Sequence, residues 1–414
     1  MIKLFTLGNI YISDFIKDGE ENNGIRHELQ LVMDENTRVV RLETPAPLNK
    51  MFGRYFYRSG VNESMVKELK EIVDSILPLM KFKENDIWCD CACNDGTLLS
   101  FVNKSFIRVG VDPADDSFKK EAEKHADLII QDFFSERAFK KSKFRNQKIK
   151  IITAIAVFYD INDPDSFLKD IYKVLDDEGL FVIQLSHSGL MIEQCAFDNI
   201  LAEHIHYFTL NTLNIYLMRN DFKIVDCQLN STNGGSFRVY IRKKIASDNL
   251  FSTAAYRDVC RYRIESLILY EKVSNLDLPE TWMRFFDNIN LLKTQVVSFI
   301  KKAKLDGKTV WGYSASTKGN TLLQYFELDN TLITAIAERS VFKWGLKTVG
   351  TNIPIVSEEE FRKAKPDYCL VLAWGFIGNF IEREKEYLEG GGVFICPCPK
   401  FEIIGKTNDN YGNI

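Results

Sequence analysis

The chain has 414 residues, of which 45% are hydrophobic and 27% are charged. This composition is typical of a globular protein and excludes a disordered or fibrous one, and the length suffices for two to three domains. The 53 basic side chains are outnumbered by 57 acidic ones, so the basic excess of a general nucleic-acid-binding protein is missing.

Four stretches of the chain differ in pattern. Residues 1–70 mix short apolar runs with turns and predict a small N-terminal lobe. Residues 71–247 alternate short β-rich runs with amphipathic helical stretches, which indicates a parallel sheet covered on both faces. Residues 248–305 have the pattern of long helices, and residues 306–414 start a second series of strands and helices. The fold class is therefore α/β, with two sheet units joined by a helical connector.

The sequence predicts several short strands in each of the two units. In the first unit they are residues 87–91, 107–111, 128–130, 149–157 and 180–185, after a helix predicted over residues 64–80. In the second unit they are residues 308–311, 332–337, 368–374 and 392–395. Each run is short and apolar, as expected for strands buried on both faces of a sheet.

The loop after the first of these strands carries the strongest chemical signal. The strand ends with Asp90, small residues follow, and Gly96 precedes a helix, which lets a ligand approach the backbone beside a helix N-terminus. Asp112 ends the second strand, where a carboxylate can accept hydrogen bonds from ribose hydroxyls. Asp132 follows the third strand beside an apolar ring, which suits an adenine base. The predicted cofactor-binding residues are Asp90, Ala92, Asn94, Asp95, Gly96, Asp112, Pro113, Asp132 and Phe133.

The composition of this loop favours one cofactor over another. A dinucleotide requires G-x-G-x-x-G for its pyrophosphate, whereas this loop has a single glycine and two acids, Asp90 and Asp95. Acids repel a pyrophosphate but accommodate a sulfonium and an amino group, so S-adenosylmethionine is favoured. The alternative is an ordinary strand-to-helix turn, against which the acids Asp112 and Asp132 argue.

Seven short blocks between residues 55 and 400 match one known family. They are residues 55–60 (YFYRSG), 93–99 (CNDGTLL), 110–113 (GVDP), Glu203-His204 with Tyr207, 233–238 (NGGSFR), 316–321 (STKGNT) and 397–400 (PCPK). On these blocks the chain resembles the sugar C-methyltransferases, which act on nucleotide-linked 4-keto-deoxysugars. The resemblance implies a Rossmann-like class I methyltransferase domain, a second C-terminal Rossmann-like domain and a small N-terminal zinc domain.

Residues 202–208 bring two of the five histidines together with an acid and a phenol. A neutral imidazole suits removal of a proton beside a carbonyl near pH 7, and a phenol or a second imidazole can stabilise the enolate oxygen. The resemblance implies that Glu203 and His204 match the family's active-site Glu and His. On an extended strand, however, His204 and His206 share a side that Glu203 does not. The alternative is one histidine that caps a turn and one on the surface.

The aromatic cluster of residues 55–57 is a further candidate. The resemblance implies that a tyrosine from this stretch lies in the sugar site, so Tyr55 and Tyr57 are considered, with core packing as the alternative. The predicted catalytic residues are His204, Glu203, Tyr57, His206 and Tyr207.

The start of the second unit has the features of a phosphate site. Residues 311–321 follow a strand and open a helix, and they combine hydroxyls, backbone amides and one lysine at its N-terminus. The resemblance implies that this domain helps to hold the nucleotide diphosphate of the substrate. Helix capping and a solvated lysine are the alternatives. The predicted substrate-binding residues are Arg238, Ser316, Thr317, Lys318, Asn320, Glu338 and Trp374.

The chain departs from the family pattern at several positions. No Cys or His pair stands at residues 33–37, where a zinc ligand pair is expected, so we expect no structural zinc. Ala92 replaces the first glycine of the cofactor loop, and Leu201 and Ala202 stand where some relatives have Tyr and His.

The expected function is S-adenosylmethionine-dependent C-methylation of a nucleotide-linked 4-keto-deoxysugar through an enolate. The alternatives are transfer to a sugar hydroxyl, or a nucleotide-sugar-binding protein whose transferase activity has decayed.

The remaining expectations concern the cell compartment. No apolar run reaches the about 20 residues of a membrane span, and the first residues lack an apolar signal-peptide core. An odd count of nine cysteines does not indicate a disulfide framework. We expect a cytoplasmic protein without membrane or nucleic-acid partners.

Overall fold

The N-terminal residues form a small antiparallel sheet. The computed structural model describes residues 1–20, 24–46, 57–247 and 254–405. Strands β1 (Ile2–Tyr11), β3 (Arg26–Met33) and β4 (Val40–Leu42) pair antiparallel, whereas β2 (Phe15–Ile16) pairs elsewhere. Leu29, Leu31 and Met33 at alternate positions of β3 are buried, as expected when one face of a sheet covers a core.

A seven-stranded sheet forms the first α/β unit. Its strands are β5 (Ile87–Cys91), β6 (Ile107–Val111), β7 (Leu128–Ile130), β8 (Ile149–Ile155), β9 (Leu175–Ser186), β11 (Phe222–Asn230) and β12 (Ser236–Lys243). The spatial order is β11-β12-β9-β8-β5-β6-β7, and only β12 runs antiparallel to both of its neighbours. The chain leaves β5 toward β6 and later returns to β8 on its other side. A crevice for a ligand therefore opens at the carboxyl ends of β5 and β8.

Side chains cap the start of all but one of the helices of this unit. They are α1 (Glu63–Ile76), α2 (Thr97–Phe101), α3 (Asp116–Ala122), α4 (Glu136–Lys140), α5 (Pro164–Val174), α6 (Ser188–Glu193) and α7 (Leu210–Arg219). Asn62 accepts a hydrogen bond from the Ser64 amide before α1, and Asp163 accepts one from Ser166 where α5 begins with Pro164. Helix α1 ends earlier than predicted because Pro78 lies in the single 3-10 turn that follows it.

Two long helices and a six-stranded sheet complete the chain. Helices α8 (Ala254–Val273) and α9 (Pro279–Leu305) precede strands β13 (Val310–Tyr313), β14 (Ile336–Glu338), β16 (Ile355–Ser357), β17 (Tyr368–Val371), β18 (Val393–Cys396) and β19 (Glu402–Ile404). The order is β16-β14-β13-β17-β18-β19, with parallel pairing except for β19. The helices between these strands are α10 (Thr317–Phe326), α11 (Glu358–Ala364), α12 (Ile377–Arg383) and α13 (Lys385–Glu389).

The N-terminal sheet shares its core with the second unit. Leu4 and Leu31 belong to the same apolar cluster as Ile289 of α9 and Val371 of β17. Strand β2 also pairs with β15 (Lys347–Thr348) of the second unit. The lobe is therefore held by packing against the last third of the chain.

Two absences concern the described residues alone. None of their helices is both long and apolar enough to cross a membrane. No group of three or more His, Cys, Asp or Glu side chains among them is placed to hold a metal ion.

Candidate active site

A cavity of about 710 Å³ runs from the carboxyl edge of the seven-stranded sheet to the N-terminus of α10. Predicted site residues line three parts of it. The end beside β5 and β6 has Asp90, Ala92, Asn94, Asp112, Pro113 and Phe133, the middle has Tyr57, Glu203 and His204, and the end beside the second unit has Ser316, Thr317, Lys318 and Trp374. The chain thus brings thirteen of the predicted residues to one continuous space.

The loop after β5 is shaped by backbone torsions and by one carboxylate. Ala92 and Asn94 have φ of 57° and 52°, in the left-handed region. The Asn94 amide donates to Oδ2 of Asp112 at 2.7 Å, and the Ala114 amide donates to Oδ1 at 2.8 Å. A Cβ on Gly96 would lie 2.7 Å from Cα of Ala122, so only glycine permits this contact with α3. Asp112 is therefore fixed in the cavity wall by the loop itself.

Asp90 is buried at the bottom of this end of the cavity. Oγ1 of Thr153 donates a hydrogen bond of 2.6 Å to its carboxyl group. Burial raises the pKa of Asp90 to about 7, and the negative charge of Asp112 adds to the rise, while the bond from Thr153 opposes it. Two buried acids here favour a ligand that carries positive charge, because a cation restores the ionised form.

Three of the predicted cofactor residues do not line the cavity. Asp95 accepts hydrogen bonds from the amides of Gly60 and Thr97, so it holds the start of α2 in place, and Gly96 contacts α3. Asp132, which was predicted to meet the adenine base, is exposed and accepts a hydrogen bond from the amide of Phe133. The ring of Phe133, not the carboxylate before it, contributes to the wall.

His204 projects a neutral imidazole into the middle of the cavity. Its Nδ1 lies 2.7 Å from the carbonyl oxygen of Asn199, and since a carbonyl only accepts, Nδ1 carries the hydrogen and Nε2 has a free lone pair. Burial and the positive charge of Lys318 lower the pKa of His204 to about 3. The tautomer and the charge state therefore leave Nε2 as a proton acceptor.

Glu203 lines the same cavity as His204, which corrects the expectation for an extended strand. The strand β10 (His206–Tyr207) begins only two residues later, and the His204 amide bonds back to the carbonyl of Leu201 in a turn. Burial raises the pKa of Glu203 to about 7. The Glu203 carboxyl group and the His204 imidazole therefore line the same cavity because this segment is a turn and not an extended strand.

His206 and Tyr207 were predicted to be catalytic and need correction. Strand β10 pairs with β4, which places both residues behind His204, and neither lines the main cavity. Burial and the charge of Arg41 lower the pKa of His206 to about 4. Burial, followed by the nearby Asp160, raises the pKa of Tyr207 well above its ordinary value. They form packed walls behind the site.

Tyr57 lines the middle of the cavity and is 40% exposed there, and a phenol is ordinarily protonated near pH 7. The hydroxyl therefore stays protonated and can act as a hydrogen-bond donor. Tyr55, the other candidate from this stretch, lies outside the described residues.

The N-terminus of α10 supplies the far end of the cavity. Ser316 caps this helix by accepting a hydrogen bond of 2.9 Å from the Gly319 amide. Burial lowers the pKa of Lys318, while the nearby Asp198 opposes that change. Among the described residues that line the cavity, Lys318 is the only Lys or Arg. This end therefore favours an anionic group, in contrast to the acidic end at β5.

Three predicted substrate residues are engaged elsewhere and do not line the cavity. Nδ2 of Asn320 donates to the carbonyl of Asp14 at 3.0 Å. Glu338 accepts a hydrogen bond from the amide of Ser340. Asn320 therefore ties α10 to the N-terminal lobe, and Glu338 holds the loop that follows β14.

Arg238 is the third predicted substrate residue that does not line the cavity. Its side chain is buried inside the first unit, with 2% of its surface exposed. Its guanidinium donates to Gln184 at 2.8 Å, to Glu68 of α1 at 2.9 Å and to Ser75 at 3.2 Å. These bonds fix α1 to the sheet and leave no access for a phosphate, so its prediction as a diphosphate contact was wrong.

The sequence reasoning missed four acids that line the cavity: Asp160, Asp163, Asp170 and Asp198. Asp160 follows β8 in the turn Phe158–Asp160, and its place after a parallel strand was a signal of the kind that identified Asp112. Asp198 lies in the turn Phe197–Asn199 and accepts a hydrogen bond from Nε1 of Trp374 at 3.0 Å. No local pattern distinguishes Asp198.

Comparison with known proteins agrees with this architecture. Residues 61–226 match a family model described as a methyltransferase domain, and residues 231–399 match one described as the C-methyltransferase C-terminal domain. C-methyltransferase NovU of Streptomyces niveus is 27% identical over 359 residues, which cover 86% of this chain and 83% of that protein. The chain is an S-adenosylmethionine-dependent methyltransferase. The predicted fold class, an α/β protein with a class I Rossmann-like methyltransferase domain, is confirmed.

Two solved methyltransferase structures match part of the chain at low similarity. A methyltransferase from Clostridium acetobutylicum is 14% identical and covers 43% of this chain and 92% of its own, with a TM-score of 0.34. The plantazolicin methyltransferase BpumL, solved in complex with SAH, is 13% identical and covers 42% of this chain and 82% of its own, also with a TM-score of 0.34.

The acidic end of the cavity fits S-adenosylmethionine as the cofactor. The Asp112 carboxylate at the tip of β6 suits the ribose hydroxyls, and the buried Asp90 suits a cationic amino or sulfonium group. No basic side chain among the described lining residues repels that charge at this end.

Proposed function

We propose that this methyltransferase methylates a carbon beside the ketone of a nucleotide-linked 4-keto-deoxysugar, through an enolate. One observation carries the proposal: a single cavity joins an acidic cofactor end, a neutral imidazole and the N-terminus of α10 with Lys318. Carbon is favoured over a sugar hydroxyl because the matched C-terminal domain is that of C-methyltransferases.

The diphosphate of the substrate is assigned to the end beside α10. Backbone amides and hydroxyls at residues 316–318 suit phosphate oxygens, and the Lys318 ammonium adds a charge-assisted hydrogen bond. The indole of Trp374, fixed by its bond to Asp198, forms a flat wall beside this end. The sugar then lies between Lys318 and the acidic end, next to His204.

His204 is the proposed base. The bond from Nδ1 to Asn199 leaves Nε2 as acceptor for the proton of the carbon beside the ketone. The Lys318 charge that lowers the pKa of His204 is neutralised by a bound diphosphate, so substrate binding strengthens the base. Ionised Glu203 in the same cavity stabilises the imidazolium that forms. S-adenosylmethionine, when bound, supplies an electrophilic methyl group.

The test is a panel of 4-keto-deoxysugar nucleotides incubated with the protein and S-adenosylmethionine. Mass spectrometry is expected to show a gain of one methyl group, and in deuterated water the proton beside the ketone should exchange without the cofactor. His204→Ala should abolish this exchange, while His125→Ala, changed outside the cavity, should retain it. Undiminished exchange by His204→Ala contradicts the base assignment, and methylation without exchange contradicts the enolate.

A further inference from the structure

Asp160 is a half-buried acid of the cavity to which the proposed mechanism gives no role. It ends the turn Phe158–Asp160 after β8, next to the strand that carries the cofactor loop. Its carboxyl group lines the cavity, and Oδ1 is buried without any hydrogen-bond partner. Buried polar atoms are rarely left unsatisfied in folded proteins, so this atom points to a ligand that satisfies it.

The turn of Asp160 is fixed against the segment that holds the proposed base. The amide of Ile205 donates to the carbonyl of Tyr159 at 2.9 Å, and the ring centroids of Tyr159 and His204 lie 4.2 Å apart. The carboxyl group of Glu203 is close enough for its negative charge to raise the pKa of Asp160. Asp160 therefore faces the same part of the cavity as the groups proposed for proton removal.

The surroundings of Asp160 favour its protonated form. Burial, followed by the negative charge of Glu203, raises the pKa of Asp160 well above its ordinary value. Tyr207, whose pKa is raised by burial and by the charge of Asp160, remains a neutral phenol. A carboxyl group that keeps its proton near pH 7 is a hydrogen-bond donor, whereas an ionised carboxylate only accepts.

We propose that Asp160 is a catalytic residue that donates a hydrogen bond to the substrate's carbonyl oxygen as this becomes the enolate oxygen. Nε2 of His204 takes the proton from the neighbouring carbon, the C–H electron pair becomes the C=C bond, and the carbonyl π pair moves to oxygen. Asp160 keeps its proton and stabilises the new charge. As the carbonyl re-forms, the C=C pair bonds the methyl carbon that S-adenosylmethionine would supply, and the pair of the broken C–S bond would stay on sulfur. The inference rests on the proposed function and assigns the role first expected of His206 or Tyr207.

Two substitutions separate a donor from a base at this position. Asp160→Ala removes the donor, and loss of one oxyanion donor lowers kcat by about 100-fold to 1,000-fold. Asp160→Asn has the same shape and keeps an N–H donor, so it should retain kcat within about tenfold of the wild type. Neither should change the KM for the sugar nucleotide much, because the bond strengthens only as charge develops. Asp306→Asn, exposed at the end of α9, is the matched control.

The experiment measures two rates, that of deuterium exchange beside the ketone and that of methyl transfer. Each rate is divided by the concentration of protein that binds S-adenosylmethionine, which titration calorimetry measures. Normalisation prevents loss of folded protein from counting as loss of catalysis. Slow exchange by Asp160→Ala together with rescue by Asp160→Asn supports the donor role. Exchange by Asp160→Ala at the wild-type rate overturns the donor role. Exchange by Asp160→Asn as slow as that of Asp160→Ala also overturns it, because that result would indicate that Asp160 acts as a base. If wild-type protein exchanges no 4-keto sugar nucleotide, the proposed function fails and this role fails with it.

Discussion

The indole nitrogen of Trp374 lies 3.0 Å from Oδ2 of Asp198, and this hydrogen bond joins the two α/β units across the cavity. Burial raises the pKa of Asp198, while the charge of Lys318 and the indole bond oppose the rise. The acid, the lysine and the indole therefore depend on one another at the end proposed for the diphosphate.

Replacement of Trp374 by Phe should weaken both the fold and substrate binding. The change leaves Oδ2 of Asp198 buried without a donor, and the expected loss in free energy of unfolding is about 1–3 kcal/mol. The KM for the sugar nucleotide should rise while the affinity for S-adenosylmethionine stays constant. Urea denaturation and steady-state kinetics measure both effects. Trp344→Phe, whose exposed indole bonds a backbone carbonyl, is the control, and an equal loss there would contradict the argument.

Lys318→Met should raise the KM for the sugar nucleotide by about tenfold to 100-fold, because a hydrogen bond to a charged group contributes roughly 1.5–3 kcal/mol. Removal of this charge should also raise the pKa of His204, since Lys318 now lowers it. An NMR titration of the imidazole measures that change. Lys308→Met, at an exposed ion pair with Asp367, should alter neither quantity. An unchanged KM would place the diphosphate elsewhere.

Ala92→Gly should stabilise the protein. Ala92 has a φ of 57°, and the left-handed region costs a residue with a Cβ about 1–2 kcal/mol. Part of this gain is offset by the greater freedom of glycine in the unfolded chain, so we expect an increase of about 1 kcal/mol in the free energy of unfolding. Ala138→Gly, inside α4, should instead lower it. A destabilised Ala92→Gly variant in urea denaturation would show that the torsion carries no strain.

Glu203→Gln should alter the dependence of stability on pH. Burial raises the pKa of Glu203 to about 7, so the folded protein holds this proton to a higher pH than the unfolded chain. Its contribution to stability therefore falls as pH rises from the ordinary pKa of a glutamate through about 7. The variant lacks this loss, and its stability relative to wild type should rise by about 3 kcal/mol between about pH 4 and about pH 8. Urea denaturation at several pH values measures the difference, and a constant difference would contradict a raised pKa.

The sequence predicted the strands of the first unit and the acids at their ends, because both depend on residues that are close together in the chain. Strands over 87–91, 107–111 and 128–130 lie where apolar runs end in turn residues, and the acids Asp90 and Asp112 lie at their tips. A parallel sheet brings such tips together whatever the rest of the chain does, so the cofactor end could be read from the sequence.

The predicted site residues that lie outside the cavity are positioned by contacts with residues far away in the sequence. Arg238 is withdrawn from any ligand because Glu68, 170 positions away, lies on the helix that covers its strand. His206 lies behind the site because β10 pairs with β4, a strand of the N-terminal sheet. Asp160 could have been found, since it follows a parallel strand, but its lack of a partner is visible only in the packed structure.

The pairing of the first strands with the last unit sets an order for biosynthesis. Tyr11 exchanges hydrogen bonds with Gln324, 313 positions later, and β2 pairs with β15. During translation the N-terminal sheet therefore emerges long before its packing partners, with apolar side chains such as Leu4 and Leu31 still uncovered. Until the ribosome has delivered α10 and the strands after it, this apolar surface of the nascent polypeptide lacks its packing partners and is exposed to aggregation.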